Sequence, residues 1–277
     1  MGNKNSVEKY LDSLPDDREI IDVSNKNLDY LPNLSRFKKL EKLYCHNNYL
    51  TSLPVLPEKL EKLYCHNNYL TSLPVLPDKL EILCCSNNKL TLLPILPEKL
   101  GELNCHNNKL MSLPVLPENL KKLYCGYNEL TLLPILPKKL EGLYCSDNNL
   151  TLLRVLPEKL KDLYCFRNKL ISLPNLPEKL EALNCSNNQL TSLPVLPEKL
   201  IWLYYYNPIY EIVCDDDLNI TKKKIKIWNN FRYLYYCLKY RKRFLKMMEP
   251  IIKKRYHPSY LYDLEEEDDL DKKLGEW

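Results

Sequence analysis

Apolar residues recur along this chain with a period of 20 residues. Residues 40–59 read LEKLYCHNNYLTSLPVLPEK, and residues 60–79 differ from them only in carrying Asp78 where the first copy has Glu58. The same frame begins again at residues 80, 100, 120, 140, 160 and 180. A fixed period of this length indicates a repeat architecture in which each unit contacts its neighbours.

The apolar positions within one unit predict a short strand followed by an extended segment. Leu43 and Cys45 alternate with Tyr44, so the first two point to one face of a strand and Tyr44 points to the other. Three further leucines complete the apolar set: Leu50, Leu53 and Leu56. One unit cannot bury these side chains alone, so we expect neighbouring units to stack into a parallel sheet over a continuous core.

The unit L-x-x-L-x-C-x-x-N-x-L-T-x-L-P-x-L-P-E-K resembles the leucine-rich repeat, with Cys at a position that is usually aliphatic. Its second half, L-x-x-L-P-x-L-P, resembles the short 20-residue class of bacterial effector proteins. The resemblance implies a leucine-rich repeat solenoid with a curved parallel β-sheet on the concave side. The convex side would be extended or irregular, which suits two prolines in each unit.

The frame predicts three segments. Residues 1–17 form an N-terminal cap, residues 18–209 form the array, and residues 210–277 form a helical C-terminal cap with a basic helix and an acidic tail. The array has about nine full units and a partial last unit. The first unit is looser than the others and places these residues in its apolar positions: Ile21, Val23, Leu28, Leu31 and Leu34.

One asparagine recurs in every regular unit. Where each chain leaves its strand, backbone groups lose their partners, and an amide side chain can donate to them and accept from them. We therefore interpret this column as a structural ladder: Asn48, Asn68, Asn88, Asn108, Asn128, Asn148, Asn168 and Asn188. Pro208 occupies the next position and indicates the end of the array.

The chain has 11 cysteines, eight of which share one inward position. They are Cys45, Cys65, Cys85, Cys105, Cys125, Cys145, Cys165 and Cys185. Parallel side chains are poorly oriented for disulfides, and their spacing does not suit a zinc site, so we expect reduced core residues. Cys214 and Asp216 match the C-x-D signature of bacterial ubiquitin ligases, but too few residues follow for the catalytic domain of those enzymes.

We expect no enzyme activity, no cofactor and no metal. The 5 glycines are scattered, whereas phosphate-binding loops need closely spaced glycines. His46 and His66 lie on adjacent predicted strands, but Ser86 interrupts their column and leaves the pair without a third ligand.

Aromatic side chains dominate the predicted concave face. Tyrosine offers a large apolar surface with a polar end and is favoured at interfaces, although a repeated tyrosine can also be a copied strand former. We predict that the following residues bind a partner protein: Tyr44, Tyr64, Tyr124, Tyr144, Tyr164, Tyr204, His46, His66, His106 and Trp202.

The two ends suggest other interactions. Gly2 and Ser6 fit the pattern for N-myristoylation, and one acyl chain needs a second membrane signal. The segment Lys222–Arg255 is strongly basic, and its apolar spacing predicts an amphipathic helix that ends at Pro250. Capping of the last unit is the favoured role, with binding to a membrane or a nucleic acid as the alternative. The acidic run Glu265–Asp271 either folds back on these bases or is a solvated tail.

The last 30 residues carry a second resemblance. Glu249-Pro250, Tyr256-His257-Pro258, Asp269-Leu270-Asp271 and Trp277 resemble a C-terminal segment found in proteins of giant, mimivirus-like DNA viruses of amoebae, which also carry Cys-containing 20-residue repeats. The resemblance implies expression in host cytoplasm and a host protein as partner.

From these patterns we expect a monomeric cytoplasmic protein that binds another protein without catalysis. A substrate receptor of a ubiquitin ligase is the alternative from another class. The 17 residues before the array are too few for an F-box, which counts against that alternative.

Overall fold

The computed structural model describes residues 2–207 and 217–239 of the chain, with side chains for 7–207 and 217–230. Helix α1 (Gly2–Asp12) precedes ten strands, and helix α2 (Leu218–Lys239) follows them. The strands are β1 (Ile20–Asp22), β2 (Lys42–Tyr44), β3 (Lys62–Tyr64), β4 (Ile82–Cys84), β5 (Glu102–Asn104), β6 (Lys122–Tyr124), β7 (Gly142–Tyr144), β8 (Asp162–Tyr164), β9 (Ala182–Asn184) and β10 (Trp202–Tyr204). Contacts divide the chain into two units, Met1–Ile225 and Lys226–Trp277.

The strands form one parallel sheet in chain order, from β1 to β10. Equivalent residues of successive units pair without slippage, as Leu43 does with Leu63. The backbone ladder continues beyond each strand, because the N–H of Cys45 donates to the carbonyl of Tyr64 at 2.9 Å. The sheet and its extended outer side confirm the leucine-rich repeat solenoid expected from the sequence.

The core is the continuous stack of inward leucines and cysteines. In the unit at 40–59, Leu40, Leu43, Cys45 and Leu50 have no exposed surface. The looser first unit is built in the same way, since its five predicted apolar residues are all buried and Phe37 is added to them. Burial of a leucine side chain contributes about 1.5–3 kcal/mol, so repeated columns of them stabilise the array strongly.

The outer side of each unit shows a burial period of three. Leu50 and Leu56 are buried while Ser52 and Val55 are exposed. Three residues per turn is the period of an extended polyproline-type chain, which explains why two prolines are accommodated there. A turn then returns the chain to the next strand, with the N–H of Leu60 donating to the carbonyl of Pro57 at 3.1 Å.

Helix α1 covers the N-terminal end of the core. Val7 and Leu11 are 4% and 3% exposed. Arg36 pairs with Asp16, with Nη1 2.7 Å from Oδ1, and its Nη2 donates to the carbonyl of Leu11. These contacts attach the helix to the first unit of the array.

The first residues of α2 lie against the last strand. Thr221 and Ile225 are 2% and 1% exposed, and Lys222 Nζ donates to the carbonyls of Glu198 and Leu200 at 3.1 and 3.3 Å. Helix α2 thus begins at Leu218, four residues before the first residue of the basic segment. The predictions for Gly2 acylation, Cys214, Pro208, Pro250, His257, the acidic run and the final Trp277 concern side chains outside the described residues. Neither described helix is long and apolar enough to cross a membrane.

Candidate functional site

The buried asparagine column forms the expected ladder. Asn108 is representative: its Nδ2 donates to the carbonyls of Cys85, Cys105 and His106 at 3.1, 3.1 and 3.3 Å. Its Oδ1 accepts the N–H of Leu90 at 3.0 Å. Each asparagine therefore joins its own unit to the preceding one at the corner after the strand, where its side chain bonds the cysteine carbonyls and the leucine N–H. The column is structural and positions the concave strands.

The ladder continues one unit further than the sequence frame indicated. Asn207 lies one position before the expected place, where its Oδ1 accepts the N–H of Asn188 at 2.9 Å. Its Nδ2 donates to the carbonyls of Cys185 and Tyr205 at 2.9 and 3.0 Å. The sequence frame placed Pro208 at this position and therefore missed the neighbouring amide of Asn207, which lies within the predicted array; the end of the array at Pro208 stays a prediction.

A second asparagine column, not anticipated from the sequence, lies beside the first at the surface. Asn47, Asn67, Asn87 and Asn107 have positive φ angles between 52° and 54°. Their amides form a chain in which the Nδ2 of Asn67 donates to the Oδ1 of Asn47 at 2.6 Å. Asparagine adopts left-handed backbone conformations more readily than other non-glycine residues. The sequence signal for this second column was the repeated Asn-Asn pair. The buried ladder uses only the second asparagine of each pair, so the first one had to have another role.

The eight column cysteines are buried free thiols, as expected. Burial raises the pKa of Cys105 to about 12, so the thiol is protonated at neutral pH and is a poor nucleophile. Cys84 differs, because it lies partly exposed on the concave face. Its Sγ is 3.4 Å from His66 Nδ1, and burial raises its pKa too. This pair is therefore a neutral thiol–imidazole contact.

The concave tyrosines form two stacked groups. Tyr44 and Tyr64 have ring centroids 4.9 Å apart and nearly parallel planes. Tyr124, Tyr144 and Tyr164 form the second group, with centroid distances of 4.4 and 5.2 Å. All five are partly buried by this stacking, so their exposed parts are ring edges and hydroxyl groups rather than full faces. Strand propensity does not explain the column alone, since Asn104 and Asn184 hold the same position in intact strands.

The second group is held by its neighbours. Tyr144 Oη donates to Asp162 Oδ2 at 3.4 Å. A Cβ at Gly142 would lie 2.9 Å from Tyr144 Cε2, so a side chain there would displace the ring. Burial and the Asp162 charge raise the pKa of Tyr144 well above its usual value. The hydroxyl is therefore a hydrogen-bond donor at physiological pH.

The histidines are partly buried rather than fully exposed. His46 and His66 stack with centroids 4.4 Å apart, and His106 packs against Tyr127 at 4.9 Å. Burial lowers the pKa of His66, and the charge of His46 lowers it further. Burial lowers the pKa of His106 as well. The His66 and His106 imidazoles, which flank the tyrosine groups, are therefore neutral at neutral pH.

The last strand carries the most exposed aromatic side chains of the face. Trp202, Tyr204 and Tyr206 are 60%, 56% and 66% exposed. They lie away from the stacked tyrosine groups, and Asn184 separates Tyr164 from Tyr204 along the column. In the described part of the chain, no group of three or more His, Cys, Asp or Glu side chains is arranged to hold a metal ion.

Comparison with known proteins agrees with this geometry. Residues 38–78 match the family model for leucine-rich repeats, which covers two copies of the repeat. A search of curated proteins finds no match. Among solved structures, the chain is similar to YopM from Yersinia enterocolitica, with 40% sequence identity and a TM-score of 0.67 over 69% of this chain and 42% of that one.

Two further structures share the fold. YopM of Yersinia pestis, described as a leucine-rich effector protein, is 34% identical with a TM-score of 0.59, over 73% of this chain and 62% of that one. The functional domain of InlJ from Listeria monocytogenes, which includes a cysteine ladder, is 27% identical with a TM-score of 0.56, over 74% and 56% of the two chains. The chain thus covers less than two thirds of these three relatives.

Proposed function

Because the chain is a leucine-rich-repeat protein with effector leucine-rich repeat domains among its relatives, we propose that it binds a partner protein on its concave face without catalysis. The observation that carries the proposal is the central tyrosine group of Tyr124, Tyr144 and Tyr164. These rings are prearranged by stacking, so binding orders few additional side chains and costs little conformational entropy.

The side chains of the concave face indicate what kind of protein surface it would bind. The neutral imidazoles of His66 and His106 and the tyrosine hydroxyls offer donors and acceptors, and Lys122 adds a positive charge beside Tyr124. A protein surface with polar groups and some acidic side chains fits this arrangement. Tyrosines at interface centres often contribute about 2 kcal/mol or more each.

The test compares two pairs of stacked tyrosines. Tyr124→Asn with Tyr144→Asn removes the central concave pair, and asparagine is the residue that Asn104 and Asn184 already place in this column. Tyr49→Asn with Tyr69→Asn removes a stacked pair outside the concave columns, with centroids 6.0 Å apart. Partners captured from lysate of the expected amoebal host are identified by mass spectrometry, and affinities are then measured with the purified partner.

We expect the concave pair to weaken the affinity by about 30-fold or more, and the control pair to leave it unchanged. The predicted binding face also includes Tyr44 and Tyr64, whose replacement should weaken binding further if the partner spans both groups. Equal binding by all variants would contradict the proposal. It would favour instead the basic helix, as a membrane- or nucleic-acid-binding element, and salt-sensitive binding would then be expected.

We also propose that the protein acts in the cytoplasm of a host cell, as the resemblance to proteins of amoebal giant viruses implies. Buried free thiols suit a reducing compartment, and similarity to a leucine-rich effector protein supports a host target. Acylation at Gly2 is part of this proposal, and mass spectrometry of the N-terminal peptide tests it. Recovery of a ligase subunit with the captured partner would favour the ubiquitin-ligase receptor instead.

A further inference from the structure

A column of aliphatic side chains is exposed on the outer side of the array. It lies between the two proline positions of each unit, the first of which is Arg154 in the unit at 140–159, and we call it the outer stripe: Val55, Val75, Ile95, Val115, Ile135, Val155 and Val195. These seven residues are between 76% and 90% exposed. Single exposed aliphatic residues are common, but a column of them in six successive units, from Val55 to Val155, marks an interaction surface.

The fold does not require the outer stripe to be apolar. The three-residue burial period directs Leu50 and Leu56 inward and leaves Val55 outside the core. Asn175 occupies the same position in its unit, and the strands and the asparagine ladder on both sides of it are intact. The stripe is therefore free to serve a surface role.

The apolar surface broadens in the central units only. We call the five units at 80–179 the central units. The unit at 40–59 carries Thr51 and Ser52, and each central unit has an apolar residue in one of these two positions. These residues are 40–68% exposed: Leu92, Met111, Leu132, Leu152 and Ile171. Leu92 lies three residues before Ile95, so the outer period of three places both on the same side.

The charge beside the stripe also changes in the centre. The position three residues after each stripe residue is acidic in the other units, as at Glu98, Glu118 and Glu158, but it is Lys138 in the unit at 120–139. Both Glu118 and Lys138 are exposed. Among the described residues Lys138 forms no ion pair, whereas neighbouring Lys139 donates to Asn119 at 2.7 Å.

We propose that the outer stripe joins two copies of this chain in an antiparallel dimer. The two-fold axis passes between the units at 100–119 and 120–139. The unit at 100–119 of one copy therefore faces the unit at 120–139 of the other copy. This arrangement gives four kinds of pair: Val115 with Ile135 of the partner subunit, Ile95 with Val155 of the partner subunit, Leu92 with Leu152 of the partner subunit, and Glu118 with Lys138 of the partner subunit.

A second copy fits the surface for three reasons. Identical columns have identical spacing, so two antiparallel stripes match along their length. In the central units, the axis places each valine of the outer stripe against an isoleucine of the other copy. It also places Lys138, where the charge is reversed, against Glu118 of the other copy. Convex surfaces approach most closely at their centres, which is where the extra aliphatic residues lie.

The exposed area is also sufficient. The central units present nine aliphatic side chains, four in the stripe and five beside it. At roughly 60–120 Å² for each buried side chain, these amount to on the order of 500–1,100 Å². A standard stable interface buries about 800 Å² on each partner. The dimer replaces the monomer expected from the sequence, and it leaves both concave faces open.

The test is sedimentation equilibrium of the full chain over a range of concentrations. Val115→Ser with Ile135→Ser removes four central side chains from the dimer, and the dissociation constant should rise by about 100-fold or more. Val55→Ser with Val75→Ser makes the same change towards one end, and a rise of less than about threefold is expected there. Unchanged circular dichroism would show that both variants fold, as expected for residues at least 76% exposed.

A charge exchange tests the symmetry independently. Glu118→Lys alone and Lys138→Glu alone should each weaken the dimer by about tenfold, because each creates two like-charged contacts across the axis. The double variant should restore the wild-type dissociation constant, since it only exchanges the two partners. A wild-type chain that is monomeric at every concentration would overturn the proposal, as would a double variant that is weaker than both single ones.

Discussion

The buried and exposed asparagine columns should differ sharply in their contribution to stability, and the neighbours Asn107 and Asn108 allow a direct comparison. In Asn108→Ala, the carbonyls of Cys85 and Cys105 keep partners, because Asn88 and Asn128 also donate to them. The N–H of Leu90 loses the Oδ1 that accepts it. A single buried backbone donor is thus left unpaired.

The magnitude follows from these contacts. An unsatisfied buried donor costs about 1–3 kcal/mol, and loss of the remaining amide hydrogen bonds adds about 1 kcal/mol. We therefore expect Asn108→Ala to lower the free energy of unfolding by about 2–4 kcal/mol. Asn107→Gly keeps the left-handed backbone accessible and loses one exposed amide contact, the 2.7 Å bond to Asn87. Its expected cost is about 1 kcal/mol or less.

Urea unfolding followed by circular dichroism measures both effects. With a slope of about 2 kcal/mol/M, the transition midpoint of Asn108→Ala should fall by about 1–2 M, and that of Asn107→Gly by about 0.5 M or less. Equal slopes for both variants would show that the same cooperative unit unfolds. Equal midpoints would refute the assignment of structural roles to the two columns.

Two further predictions concern titration and reactivity. Burial lowers the pKa of His66 and His106 below the usual 6.5, so the unfolded chain binds protons at a higher pH than the folded chain does. Stability is therefore lost as the pH falls below 6.5, and the melting temperature should fall with it. A variant with Gln at both positions should show a much smaller fall in melting temperature. A pH-independent melting temperature would contradict this. Iodoacetamide should alkylate Cys84 at least about tenfold faster than Cys85, because only Cys84 is partly exposed, and peptide mapping would reveal equal rates if this is wrong.

The repeat predicted most of the fold because its signals are periodic and local. Leu43 and Cys45 were assigned inward from a two-residue alternation, and Asn48 was assigned to the corner from its chemistry; all three have these places in the structure. The sequence predicted a helix in the basic segment but gave no start for it, because charge and apolar spacing do not mark the first helical residue; the structure places it at Leu218.

The sequence was less informative about the surface. Stacking between neighbouring units made the histidines and tyrosines less exposed than a column of outward positions suggested, and a ring distance of 4.4 Å between Tyr124 and Tyr144 cannot be read from spacing. The outer stripe was missed because Val55 lies within the apolar run LPVLP, where alternation cannot separate inward from outward residues. The three-residue burial period became visible only in the structure.

Two glycines that depart from the repeat make room for side chains of the concave face, and their location indicates where specificity lies. Gly142 provides space for the Tyr144 ring, and Gly126 leaves room for His106, whose Nδ1 would lie 3.1 Å from an added Cβ. These changes fall in the central units, as do the extra outer aliphatic residues and Lys138. The nearly identical units at 40–79 share none of them. Selection for the core constrains only the inward positions, which these units share, so their differences lie on the surface. We therefore expect the central units to carry the surfaces that distinguish this protein, and the nearly identical units at 40–79 mainly to extend its length.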